Sequence, residues 1–584
     1  MNALYRWFLR SLSFFVVLAL SATIASAQDQ TAQKASGSSN VISGRITTND
    51  NQPLTNARVT VNRPGGGVQA QFVKVDSEGN FVTPPLEPGL YFVAAYVPGL
   101  IRDPSTPPTS SYFHPGDHVD FKMIKGGVLT GTVKNANGDA LVAVGVRAIR
   151  VRAADGTPAP FSSATRETLT DDRGMYRLYG LGAGSYIVSA GGQTRLIGSQ
   201  ALSAYESFVP TYAPSATRDT AMEFPVTSGN ETQADIQFRE ERGHVISGAI
   251  SGAANSTGPQ QWGAGVVVYD SRNHLDIANA TAVSTTNFSF VVYGVSDGDY
   301  ELSATQGSST GDQLSSAPLQ VKVQGADVTG LRLTVAPLAS IEGRVSFEPD
   351  PKAACGKHKA SALIETVIGS RRFEPRATAK ATAEVPAILR NTSRSAFVDA
   401  RGVFSIKNVP PGSYEIEPTP PAPGWYVRSV ALEKNAAVNI SRDGLLLKSG
   451  DRISGVAVTF AEGAAQLKGK LTTGEGQSLP SRLRVYLVPD DRLASANLYR
   501  FYETGAERDG SFTLDNVAPG KYLIVARPAE PSEPGTIRIM RLDETFRATV
   551  LKEAEAQKKS VALKPCEQLA DFDLPYVAPL TTRE

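Results

Sequence analysis

Histidine and cysteine are nearly missing from this chain: five and two residues among 584. So few ligating side chains exclude a metal-rich protein and a disulfide-built scaffold. Basic clusters are absent too, and Lys and Arg total 58 against 57 Asp and Glu. That balance gives no bulk attraction to nucleic acid or an anionic membrane. Beyond the N-terminus no apolar run is long enough to cross a bilayer as a helix. Stretches with helical periodicity are scarce. No Gly-rich phosphate loop stands between a strand and a helix. Gly and Pro, at 52 and 37, sit slightly above an average share.

What is present begins with a leader. Arg6 and Arg10 precede the apolar segment Ser11–Ala22, and Ala25-Ser26-Ala27 forms a small-residue cleavage site. Residues 1–27 are therefore expected to be a signal peptide, and 28–40 a polar, unstructured leader. An uncleaved anchor is the alternative, but the apolar segment is short for one. The mature chain would carry 56 basic and 57 acidic side chains. No anchor signal is evident at the C-terminus, which favours the periplasm, the outer-membrane surface or secretion.

The body of the chain repeats one phrase five times. An aromatic and a tyrosine stand ten residues apart: Phe81/Tyr91, Tyr176/Tyr186, Phe290/Tyr300, Phe404/Tyr414 and Phe512/Tyr522. A Gly lies two residues before each Tyr, at 89, 184, 298, 412 and 520. Alternation on both sides of the corner predicts two half-buried strands, with the rings facing inward. Turns such as "DSEG" (76–79), "DDRG" (171–174), "DARG" (399–402) and "ERDG" (507–510) come just before the aromatic. They read as hairpin turns closed by a left-handed Gly. The third copy departs, with "TTNF" (285–288), where either Asn287 takes the left-handed position or the turn differs.

Each copy opens on apolar-x-Gly-x-apolar: "ISGRI" (42–46), "LTGTV" (129–133), "ISGAI" (246–250), "IEGRV" (341–345) and "LKGKL" (467–471). A strand Gly is weakening unless something packs over it. Room for a large side chain from the facing sheet, the repeated aromatic being the candidate, would explain it. A third strand follows, as in "ARVTV" (57–61), with "SALIETV" (361–367) the nearest match in the fourth copy. A closing strand such as "HVDFKMI" (118–124) leads into the next copy almost without a linker.

The expected architecture is all-β: five small prealbumin-like, Greek-key β-sandwiches in series, at 41–125, 126–241, 242–337, 338–462 and 463–566, with a tail at 567–584. One short surface helix is expected within 543–559, capped by Asp543.

These phrases resemble the carboxypeptidase regulatory-like domain, a transthyretin-like β-sandwich. "VTPPLEPGLYFV", "NVPPGSYEI" and "NVAPGKYLI" match that pattern closely, while "GLGAGSYIV" and "GVSDGDYEL" keep Gly and Tyr and lose the prolines. The resemblance covers roughly 41–566 and its motifs are structural turns. It implies non-catalytic modules in an exported bacterial protein, here without the peptidase or barrel that accompanies such modules elsewhere. The grouping of this fold with carbohydrate-binding-like sandwiches implies polysaccharide as an alternative partner, beside other envelope proteins.

Searches for chemistry return bland answers. His114 and His118 in "HPGDH" could share a metal only on a helix, which Pro115 and Gly116 prevent. His244, His274 and His358 stand in no zinc-peptidase motif. "GSSTG" (307–311) matches a nucleophile-elbow string but no helix follows it. Asp76, Asp171, Asp399 and Asp509 supply too few oxygens per turn for calcium and suit turn formation instead. No enzyme, cofactor or metal site is implied. Cys355 and Cys566 can pair in an exported chain, tying the fourth copy to the C-terminal end; two separate thiols are the alternative. Trp425 and Tyr426, after a Pro-rich stretch and close to Arg428, are the candidate ligand platform; a Trp sealing the end of a sandwich is the competing reading.

Overall fold

The computed structural model describes residues 40–578 apart from 64–70, 106–111, 160–165, 193–203, 253–263, 272–275, 282–286, 308–310, 352–354, 356–362, 374–385, 387–388, 390–393, 434–439, 475–477, 481–482, 491–496, 508 and 530–542. The leader, Trp262, His274, His358 and the middle of "GSSTG" thus lie outside the described residues. The protein is all-β, a tandem array of β-sandwiches.

The same kernel recurs in every unit. The opening strand is central in its sheet. It pairs antiparallel with the aromatic strand and parallel with the closing strand. In unit 1, Ser43–Thr48 lies between Asn80–Val82 and His118–Lys125. In unit 4, Ala339–Glu348 lies between Val403–Val409 and Arg452–Glu462. A second sheet covers this one, as with Gln71–Lys74, Arg58–Asn62 and Phe92–Tyr96 in unit 1. Unit 3 departs: Gln313–Ser316 pairs with both Gly298–Gly307 and Val328–Pro337, joining its two sheets into one of eight strands.

Each unit has its own core. Phe81, Tyr176, Phe290, Phe404 and Phe512 are buried in five different apolar clusters, each with its partner tyrosine ten residues on. Alternation puts the rings there, because residues of one parity share one sheet face.

The glycine of the opening phrase makes room for the ring, but from within the same sheet. Gly44, Gly131, Gly248, Gly343 and Gly469 are the register partners of Phe81, Tyr176, Phe290, Phe404 and Phe512. A methyl on Gly44 would stand 2.7 Å from the Phe81 ring and collide with the Val119 carbonyl. The facing sheet, where the ring was expected to originate, is not its source. Directly opposed residues of an antiparallel pair point to one face, so the neighbouring strand's ring folds over the glycine.

The corner is a second repeated device. The hydroxyl of Tyr91 donates to the carbonyl of Glu87 at 3.0 Å, Tyr186 to Gly182 at 2.8 Å, Tyr300 to Ser296 at 2.8 Å and Tyr522 to Ala518 at 2.7 Å. The glycine two residues before each tyrosine has φ between 145° and 159°, which a side chain resists. Tyr414 is the exception: its buried hydroxyl has no hydrogen-bond partner among the described residues.

The structure departs from the sequence expectations at four places. The left-handed residue in the third hairpin is Phe288 (φ 47°), while Asn287 uses its side chain to accept from the Ser289 N–H. The third strand of unit 4 is Val367–Phe373, since Leu363–Glu365 winds into a short 3₁₀ turn. Residues 567–584 are not simply a tail: Gln568–Pro575 is the closing strand of unit 5 and buries Leu574. The expected helix spans Glu544–Gln557, with the Asp543 carboxylate accepting from the Phe546 N–H at 2.9 Å. It is not only a surface element, because Val550 and Ala554 pack on the outer face of unit 5 beside Tyr486 and Val488.

Junctions are short. One residue separates the closing strand Val328–Pro337 from Ala339–Glu348, and two separate Arg452–Glu462 from Ala465–Thr472.

Candidate functional site

With the repeated residues committed to cores and corners, the remaining candidates lie in the turns, at the junctions and on exposed sheet faces.

The hairpin aspartates act on their own backbone. The Asp76 carboxylate accepts from the N–H groups of Glu78 and Asn80 at 2.9 and 2.7 Å. Asp171 and Asp399 repeat this geometry. Asp509 accepts from the N–H and hydroxyl of Ser511. These bonds, led by the Asn80 N–H for Asp76, the Val403 N–H for Asp399 and the Ser511 hydroxyl for Asp509, hold the three carboxyls below their ordinary value. Turn formation uses the oxygens that a cation would need.

The two histidines of "HPGDH" go separate ways. His114 faces Asp117 at 3.4 Å and Glu365 of unit 4 at 3.6 Å. His118 faces Asp120 at 3.0 Å. Among the described residues no cluster of three or more His, Cys, Asp or Glu could hold a metal ion. The His114 contact, with Tyr112 edge-on to Phe397 at 5.6 Å, joins units 1 and 4, which are not neighbours in sequence.

Of the two readings of Trp425, the buried seal fits the structure and the ligand platform does not. Trp425 is only 7% exposed and packs edge-on against Phe347, ring centroids 4.9 Å apart. A large apolar ring beside Phe347 and Phe460 gains more from burial than from exposure. Tyr426 is half-buried, with the Arg500 guanidinium 5.6 Å from its ring centre. Arg428, adjacent to them, pairs with Glu348.

That region is instead the junction of units 4 and 5. Tyr499, on a short turn of unit 5, is buried within the core of unit 4 and donates to the Ile416 carbonyl at 2.9 Å. Asn497 holds the turn: its side chain accepts from the Tyr499 N–H and donates to the Arg428 carbonyl. Cys355 and Cys566 stand beside the same junction as a disulfide, Cα atoms 4.7 Å apart and 211 residues apart in sequence. Sequence reasoning missed Tyr499, because a single ring in a loop carries no periodic signal.

Other junctions are lighter. Asn408, left-handed at φ 59°, accepts from the Gln313 N–H and donates to the Gly311 carbonyl, joining units 3 and 4. Arg242 lies over the Phe208 ring at 4.5 Å between units 2 and 3. Two clefts open beside junctions. One of about 280 Å³ between units 2 and 3 is lined by Tyr212, Arg218, Asp270, Tyr293 and Tyr300. One of about 180 Å³ between units 1 and 2 is lined by Tyr96, Arg166, Arg177 and Tyr179.

Tyr96 also belongs to an exposed face that sequence reasoning passed over. On the outer side of the three-stranded sheet of unit 1, Phe72, Phe92 and Tyr96 are 64%, 46% and 53% exposed. Their signal was available: in "QFVK" and "YFVAAY" these rings occupy the phase opposite to the buried Val73 and Val93.

No family model and no curated protein matches the chain. Solved structures give partial overlaps. The TIE protein of Bacillus anthracis matches at 12% identity and TM-score 0.14, over 51% of each chain, so the chain spans about half of that protein. The minor pilin GBS52 of Streptococcus agalactiae matches at 11% identity and TM-score 0.18, over 38% of this chain and all of that one. Two B repeat units of the collagen-binding protein of Staphylococcus aureus match at 11% and TM-score 0.13, over 72% of this chain and 99% of theirs. These similarities assign no family, and the fold stands on the chain's own sheets and cores.

Proposed function

We propose that the chain is a non-catalytic, exported scaffold: a tandem array of carboxypeptidase regulatory-like units that presents adhesive or binding surfaces in a bacterial envelope or outside the cell. The observation that carries this reading is where the repeated residues are used. The aromatic, the glycine and the corner tyrosine of every unit serve that unit's own core and turn. What varies between units is turned toward junctions and outer faces, as binding scaffolds require. Tyr499 and the Cys355–Cys566 pair hold two units in one relative position, which suits presentation more than a freely jointed spacer. Sugar recognition through Trp425 is not part of the proposal, because that ring is buried.

Two measurements on the intact chain test it. Cell fractionation with N-terminal sequencing should find the protein outside the cytoplasm, beginning at Gln28. Incubation with peptide, ester and glycoside substrates should give no turnover. A cytoplasmic, uncleaved chain, or saturable turnover, would refute the reading.

A further inference from the structure

The geometry points to the outer face of the Gln71–Lys74, Arg58–Asn62 and Phe92–Tyr96 sheet, continued into the cleft between units 1 and 2, as a docking track for an acidic polysaccharide. This inference deepens the scaffold reading and rests on it.

Three rings make the platform. Thr60 is the register partner of both Phe72 and Ala94, Arg58 of both Lys74 and Tyr96, and Asn62 of Phe92. Phe72, Phe92 and Tyr96 therefore share one face with Arg58 and Lys74. From strand spacing and rise, their Cα atoms form a near-equilateral triangle with sides of about 12–13 Å. Beyond Tyr96 the cleft adds Tyr179, itself 51% exposed, and Arg166. Four exposed rings then follow one path from unit 1 to unit 2.

Cations outnumber carboxylates on this path, although Glu167 also lines the cleft. Carboxylates at its borders are already engaged: Glu87 with Arg63, Glu167 with Arg147 and Glu231 with Arg177. Among the described residues Arg58, Lys74 and Arg166 remain as the cations, and the Arg58 guanidinium lies 5.3 Å from the Phe72 ring centre. Rings that present flat apolar surfaces, interleaved with cations, complement a chain with flat C–H faces and spaced carboxylates.

The size of the face argues against a globular partner. The three strands, of four, five and five residues, cover only about 230 Å², whereas a stable protein interface needs about 800 Å² from each side. A second copy of the chain faces the same shortfall. A polymer one residue wide would be covered fully. The mature chain, with 56 basic against 57 acidic side chains, lacks the strongly basic groove that nucleic acid requires.

The test uses the intact chain with polygalacturonate, a neutral β-glucan and a single-stranded oligonucleotide as probes, read by biolayer interferometry at two salt concentrations. Binding to polygalacturonate is expected, weakening about fivefold from 0.05 to 0.3 M salt. Phe72→Ser with Tyr96→Ser should weaken it at least about tenfold. Arg58→Gln with Lys74→Gln should do the same and remove the salt dependence. All four positions are on the exposed face, so the melting temperature should hold, which separates lost contact from lost fold. No binding, binding unaffected by either pair, or tighter binding of the glucan or oligonucleotide would overturn the proposal. So would dimerisation abolished by the same substitutions. Release of reducing ends from the polymer would instead overturn the scaffold reading, whereas absent binding leaves that reading in place.

Discussion

Gly44 and Phe81 are register partners on neighbouring strands, and the ring lies where a side chain on residue 44 would stand. The pairing recurs at Gly343 with Phe404 and at Gly469 with Phe512, where an added methyl would stand 2.6 and 2.5 Å from the ring. Gly44→Ala should therefore destabilise unit 1 by roughly 1–3 kcal/mol through overpacking against a backbone carbonyl that cannot retreat. Phe81→Ala should cost about 3–5 kcal/mol through the cavity it leaves. Chemical denaturation with a probe in unit 1 checks both, and an unperturbed Gly44→Ala protein would contradict the packing account.

The corner tyrosines offer an internal control. Removing the hydroxyl that donates to a buried carbonyl should destabilise, so Tyr186→Phe or Tyr522→Phe should cost about 0.5–1.5 kcal/mol. Tyr414→Phe removes a buried hydroxyl with no hydrogen-bond partner among the described residues and should be neutral or stabilising. Thermal melts of the three variants would show the contrast.

Tyr499 couples two units. Tyr499→Ala should lower the stability of unit 4 by roughly 3–5 kcal/mol, although residue 499 belongs to unit 5. Tyr499→Phe keeps the ring and loses the bond to Ile416, which should cost about 1 kcal/mol. Hydrogen exchange in Val403–Val409 and Gly412–Thr419 gives the readout.

The disulfide acts on the same pair. Cys355→Ser with Cys566→Ser should destabilise units 4 and 5 by about 2–5 kcal/mol, because a 211-residue loop is opened in the unfolded chain. Mass spectrometry of the untreated protein should find no alkylatable thiol. Units 4 and 5 should lose more stability than units 1 to 3.

Acid should weaken the hairpins in a definite direction. The Asp76, Asp399 and Asp509 carboxyls titrate below their ordinary 3.8 in the folded chain. Their contribution is present above that value and is lost as pH falls through the lowered folded one. Melting temperature should drop below pH about 4. Replacing the three by Asn, which keeps an accepting oxygen without the charge, should flatten that drop.

Most of the kernel was legible in the sequence because alternation and a left-handed Gly fix the phase of a ring such as Phe404 unaided. Legibility ended where phase breaks or where contact is long-range. The closing strand of unit 5, "QLADFDLP", carries Asp571 at φ 56° and a shifted register, so its alternation is interrupted. Phe288 sits left-handed with neither Gly nor Asn to announce it. Trp425 beside a Pro-rich run could be read as a surface platform or as a seal at the end of a sandwich, and its packing against Phe347 matches the second. Phe72 and Tyr96 were visible as outward-phase rings, but whether an outward ring remains bare depends on its neighbours in space.

The central claim is that each ring anchors a separate core. Amide hydrogen exchange of the intact chain carrying Phe290→Ala tests it most directly. Protection should be lost only in His244–Ser251 and the other strands of unit 3, ending by Val328–Pro337. Loss spreading equally into the opening strands of units 1 and 5, Ser43–Thr48 and Ala465–Thr472, would contradict it.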